Sequence, residues 1–134
     1  MTKRSSISVS PHDLFMLANE SVSKSGTITF TPRGYSMYPA ICDLEKVTLV
    51  KVSFVELRVG DIVLCYTLDG PLLHRIIEKC DDPDEPFVII KGDARLSGRH
   101  RVEPEDIAGR VARIHKRHKK RIKGLLMRKL FKKS

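Results

Sequence analysis

The stretch Gly60-Asp61-Ile62-Val63-Leu64-Cys65-Tyr66-Thr67-Leu68-Asp69-Gly70-Pro71-Leu72-Leu73-His74-Arg75-Ile76-Ile77 decides how this chain folds. Arg58-Val59-Gly60-Asp61 reads as a turn, and Ile62 to Tyr66 is an apolar run of the length of a buried strand. Asp69-Gly70 marks a tight hairpin, with Leu72 to Ile77 as its returning arm. Two adjacent strands with a short turn make the surrounding chain a β protein.

Working outward, the same period of two recurs. Downstream, Cys80 to Pro86 is an acidic, proline-containing loop, and Phe87 to Lys91 is a further buried strand ending at Gly92-Asp93. Ala94 to Pro104 reads as irregular, and Ile107 to Ile114 as the last strand. Upstream, Lys46 to Val52 places Val47, Leu49 and Lys51 on one face and Thr48, Val50 and Val52 on the other. Thr27 to Thr31 alternates β-branched and aromatic residues and stops at Pro32. Before it, Ser10-Pro11 is a good helix start, with Ser as N-cap and Pro at the first position. Leu14, Leu17 and Ala18 recur at helical spacing, and Gly26 follows the end near Ser25.

The expected fold is therefore mainly β: a small, twisted or partly closed barrel-like domain over 27–114. A segment with one short helix (1–26) precedes it, and a basic amphipathic tail (115–134) follows.

A length of 134 residues fits one domain with a modest core. No apolar run approaches the roughly 18 to 20 residues of a membrane span. Lys3 and Arg4 are not followed by the apolar core of a secretory signal. Cys42, Cys65 and Cys80 are odd in number and lack Cys-x-x-Cys spacing, which points to reduced thiols in a cytoplasmic setting and to no zinc site. No cofactor or metal is implied.

Charge is divided unevenly. All 16 acidic residues precede position 110, against 13 basic ones there, a balance of −3 for the body. The remaining 12 basic residues lie in 110–134. Any partner chosen by charge meets the tail. Lys116, Arg117, Lys119, Lys120, Arg121 and Lys123 surround an apolar stripe that includes Ile114, Ile122, Leu125, Leu126 and Phe131. Such a helix suits an anionic membrane surface, each nearby cation adding about 1 kcal/mol. Nucleic acid ranks second, because phosphates make no use of the stripe. A solvated tail without a partner is the plain alternative. A peripheral position at the inner membrane surface is the corresponding expectation for location.

Two polar residues interrupt this apolar framework. Ser36 lies in Arg33-Gly34-Tyr35-Ser36-Met37-Tyr38-Pro39, a glycine-bearing turn closed by proline. A serine there is either a polar turn residue or an exposed hydroxyl backed by free N–H groups, as acyl transfer requires. His74 sits within an apolar strand, either as a satisfied interior residue or as a base able to exchange protons near neutral pH.

Four blocks, in order, resemble the signal peptidase family and its relatives that lack a membrane anchor. Gly34-Tyr35-Ser36-Met37-Tyr38-Pro39 is similar to the family's Ser-Met-x-Pro box, and Val59-Gly60-Asp61-Ile62-Val63 to its Gly-Asp opening of a hydrophobic strand. Leu73-His74-Arg75-Ile76 is similar to its base-bearing strand. Lys91-Gly92-Asp93, followed by Ile107-Ala108-Gly109-Arg110-Val111, is similar to its Lys-Gly-Asp and terminal Gly-Arg-Val segments. The resemblance spans roughly 27 to 114. It implies a serine endopeptidase, or a self-cleaving one, in which Ser36 attacks a peptide carbonyl and His74 carries the proton. The substrate would be an extended peptide bound by strand addition.

The chain departs from the family at two site positions. Where histidine-type members carry an acid beyond the Lys-Gly-Asp box, this sequence has Arg99. Asp93 is then the candidate orienting acid, or else a turn residue bonding its own backbone. Two positions before the nucleophile stands Gly34 in place of a serine, which leaves the backbone N–H groups of Ser36 and Met37 to hold the oxyanion. A peptide-binding module of the same fold with impaired catalysis is the competing expectation.

Overall fold

A computed structural model describes residues 11–34, 36–94 and 98–116. One helix, α1 (Pro11–Ser25), precedes seven strands: β1 (Thr27–Phe30), β2 (Lys46–Val50), β3 (Ile62–Thr67), β4 (Gly70–Cys80), β5 (Phe87–Lys91), β6 (Arg99–Val102) and β7 (Ile107–His115). They form one antiparallel sheet in the order β1-β2-β7-β3-β4-β5-β6. The sheet curls enough to bring β6 into contact with β3, three places away. Its outer strands β1 and β6 do not pair, so it stays open where a partly closed barrel was expected.

Ile62, Val63, Leu64 and Cys65 are all buried because both faces of β3 are covered. Val63 and Cys65 pack with Leu57, Ile76, Val88, Ile90 and Val102 inside the curl. Leu64 meets α1 on the other face, against Phe15, Ala18, Val22, Leu49 and Ala108. Burying each large side chain of this kind is worth about 1.5–3 kcal/mol. Ile62 closes a third cluster with Met37, Ile41 and Val47, which lies under the serine turn.

Several expectations are corrected. The helix docks through Phe15, Ala18 and Val22, and Leu17 is exposed. These three lie at i, i+3 and i+7, one stripe of a helix, whereas Leu17 is one residue off it. The region expected to be irregular contains β6, which pairs with β5 from Val88↔Val102 to Lys91↔Arg99. Its charges suit an edge strand: Arg99 and Arg101 turn outward to Glu78, Glu85 and Glu103, while Val102 points in. Lys51 lies beyond the end of β2, exposed.

Lys116 belongs to the body. Its ammonium donates to the buried carboxylate of Glu45 at 2.9 Å and to the Ala40 carbonyl at 3.1 Å. The proposed N-cap Ser10 and the tail cations Arg117, Lys119, Lys120, Arg121 and Lys123 lie outside the described residues. Among the described residues, no helix is long and apolar enough to cross a membrane.

Candidate functional site

Gly34 adopts φ +92°, a conformation that side chains disfavour, and so permits the bend ahead of Ser36. After the bend the chain makes a compact turn in which the Ile41 N–H donates to the Met37 carbonyl at 2.9 Å. Met37 and Ile41 are the buried anchors of that turn. Among the described residues, the N–H groups at its start, Ser36 and Met37, donate to no backbone acceptor. The bond between Tyr38 and Pro39 is cis. On the far side, the Ala94 N–H donates to the Ser36 carbonyl at 2.8 Å, tying the turn to the loop after β5.

His74 stands on β4 opposite Val63, on the inner face with Ile76. Alternation puts its neighbours Leu73 and Arg75 on the outer face. Only 4% of His74 is exposed. Ser36 Oγ lies 3.1 Å from His74 Nε2, within hydrogen-bond reach. The structure thus brings together two residues separated by 38 positions in sequence. Among the described residues, Nδ1 on the other side of the ring has no hydrogen-bond partner and is buried. Burial holds the imidazole below its ordinary pKa, helped by neighbouring His100 and Lys91 and opposed by Asp93. The ring is therefore neutral at neutral pH, the state in which Nε2 can accept the serine proton.

Asp93 does not contact His74 through a hydrogen bond. Both its oxygens are taken by Arg75, with Nε donating to Oδ1 at 2.9 Å and Nη2 to Oδ2 at 2.7 Å. Arg75 also donates to the Gly60 carbonyl at 2.8 Å. The reason is the strand's period: the residue next to His74 points the other way, and Asp93 is on that side. Neither the orienting-acid role nor the self-bonded turn is what this geometry shows; Asp93 clamps a guanidinium. Arg99, where the resemblance leads us to look for an acid, is exposed and pairs with Glu78 at 3.3 Å.

Two features of the site had no counterpart in the sequence reading. His100 on β6 lies beside His74, with ring centroids 6.1 Å apart. Its alternation with Val102 was the available signal, hidden by the arginines around it. The second is an open strand edge. β4 pairs with β5 only from Arg75↔Lys91 to Cys80↔Phe87, so among the described residues Gly70 to His74 pair with β3 alone. Beside that edge is a cavity of about 80 Å³, bounded by Pro32, Arg33, Gly34, Ser36, Met37 and Ile41 on one side and by Pro71, Leu72 and Leu73 on the other.

Cys65 is buried, and its thiol pKa is pushed far up, first by desolvation and then by Asp106. It is an interior residue without nucleophilic character. Cys42 and Cys80 are free and half-buried. No protein-family model matches the chain, and no curated protein matches it.

Proposed function

We propose that this chain is a serine endopeptidase of the signal-peptidase type, with Ser36 as nucleophile and His74 as general base. The supporting observation is the 3.1 Å contact between Ser36 Oγ and His74 Nε2 in a cleft beside an open strand edge. A hydroxyl is a weak nucleophile at its own pKa and needs such a base.

An extended peptide adds along Gly70 to His74 and presents a carbonyl to Ser36. The Ser36 oxygen attacks the carbonyl carbon while its proton passes to His74 Nε2. The oxyanion is held by the N–H groups of Ser36 and Met37. His74 then returns the proton to the leaving amine as the C–N bond breaks. Water, deprotonated by the same nitrogen, hydrolyses the ester and regenerates Ser36. Incubation with a peptide library and mass spectrometry of the products tests the activity. Cleavage that disappears in Ser36→Ala supports it, and cleavage that survives rejects it.

One observation favours a second reading, a peptide-binding module without turnover: the buried Nδ1 of His74 lacks the carboxylate that orients a catalytic imidazole. That reading predicts saturable binding of an extended peptide and no covalent reaction at Ser36. For the tail, the nine basic residues of 117–134 favour an anionic membrane surface as partner and a peripheral location. Sedimentation with phosphatidylserine vesicles, with and without residues 117–134, tests it; equal sedimentation of both forms contradicts it.

A further inference from the structure

His74 Nδ1 is buried and unpartnered among the described residues, and Asp93, the residue expected to serve it, is committed elsewhere. Asp93 is held by Arg75, and Arg99 by Glu78. The ring alongside is His100, at 6.1 Å between centroids and inclined by 50°. His100 in turn directs Nε2 at the carboxylate of Asp69, 3.7 Å away in the β3–β4 turn. Residues from three places, the strand β4, the edge strand β6 and the hairpin turn, thus lie in succession.

We propose that His100, backed by Asp69, is the positioning residue for His74, in the place of a directly bonded acid. The inference rests on the peptidase reading above. Tautomers give it its logic. A carboxylate facing His100 Nε2 favours the proton on that nitrogen, which leaves Nδ1 of His100 as an acceptor. An acceptor there favours a proton on His74 Nδ1, and so a free lone pair on His74 Nε2 for the serine hydroxyl. When His74 takes the serine proton, both its nitrogens carry hydrogen. The Nδ1–H then donates to His100, and Asp69 lies beyond to offset the positive charge.

A direct N–H···N contact brings two nitrogens to roughly 3 Å. The rings stand somewhat too far apart for that, and catalytic hydrogen bonds commonly tighten when substrate binds. Among the described residues β6 is an edge strand with β5 as its one partner, so it is well placed to make the small advance.

The test is nitrogen-15 NMR of the histidine side chains in the full chain, together with kcat/KM for a cleaved peptide. In the unmodified protein His74 shows the Nδ1–H tautomer. His100→Leu shifts it toward Nε2–H and lowers kcat/KM by at least tenfold, short of the roughly 10⁴-fold cost of losing a directly bonded acid. His100→Glu, which restores an acceptor, retains the Nδ1–H tautomer. An unchanged His74 tautomer in folded His100→Leu overturns the proposal. Should that variant fail to fold, Asp69→Asn at the exposed turn decides the same question: a shifted tautomer supports the relay, and an unshifted one rejects it. The NMR signal requires no turnover, so loss of the peptidase reading and loss of the relay give different results.

Discussion

Arg75 grips Asp93 through two near-parallel hydrogen bonds, 2.9 and 2.7 Å long, and this fork joins β4 to the loop that supports Ser36. Asp93 is followed by Ala94, whose N–H holds the Ser36 carbonyl. The pair therefore acts on Ser36 through the backbone, and not through the imidazole. Hydrogen bonding and charge attraction from Asp93 both raise the pKa of the arginine, against its burial.

Removing the carboxylate separates these roles. Asp93→Ala is expected to lower stability by about 2 kcal/mol, the scale of a charge-assisted hydrogen-bond pair, as read from urea unfolding. Turnover should fall by roughly tenfold through loosening of the turn. A fall near 10⁴-fold, with stability intact, would instead mark Asp93 as an orienting acid.

The buried imidazole sets the pH dependence. With burial holding His74 below its ordinary value of 6.5, the acid limb of kcat/KM for a cleaved peptide is expected to have its midpoint below 6.5. Stability carries the same sign. The unfolded chain takes up this proton first, so the contribution of His74 is full above 6.5 and is lost as pH falls through the lower folded value. His74→Gln should flatten that decline in thermal unfolding measured from pH 7 to pH 5.

At the end of β7, Lys116 neutralises Glu45, which is 3% exposed beneath the serine turn. Lys116→Ala leaves a buried carboxylate without this cation and is expected to cost about 2–3 kcal/mol in urea unfolding. Truncation after residue 116 keeps the pair and should cost less than 1 kcal/mol. Equal losses in the two variants would contradict the assignment of Lys116 to the body.

Gly109 offers a purely steric prediction. A Cβ there would lie 2.7 Å from the Val50 carbonyl oxygen and 3.0 Å from the Leu49 side chain, next to the Val50↔Arg110 pair that ends the pairing of β7 with β2. Gly109→Ala should destabilise the fold by about 1–3 kcal/mol, measured as a lowered unfolding midpoint. An unchanged midpoint would show that the two strands separate easily.

How much of this was readable in advance follows the physics of each element. The β3–β4 hairpin, β2, β5 and β7 announced themselves through period-two apolar runs and turn residues, because burial on a sheet leaves that trace. β6 left only the alternation of His100 with Val102, hidden because Arg99 and Arg101 satisfy an edge strand with outward charges. The helix was placed correctly but its buried stripe was assigned one residue off at Leu17, which two apolar neighbours in a short helix make easy. Ser36 and His74 were each visible as an interruption of an apolar pattern. Their 3.1 Å approach was not, because it depends on how a turn between β1 and β2 folds over the end of β4. The commitment of Asp93 to Arg75 was equally hidden, although alternation along β4 contains its cause.

The central claim is that His74 activates Ser36, and covalent labelling tests it most directly. Treatment of the folded chain with a fluorophosphonate, followed by peptide mapping, should place one adduct on Ser36. His74→Ala should slow that labelling by at least 100-fold, within the range for loss of a general base. Labelling at Ser36 that is as fast in His74→Ala as in the unmodified protein, or the absence of any adduct at Ser36, would contradict the account.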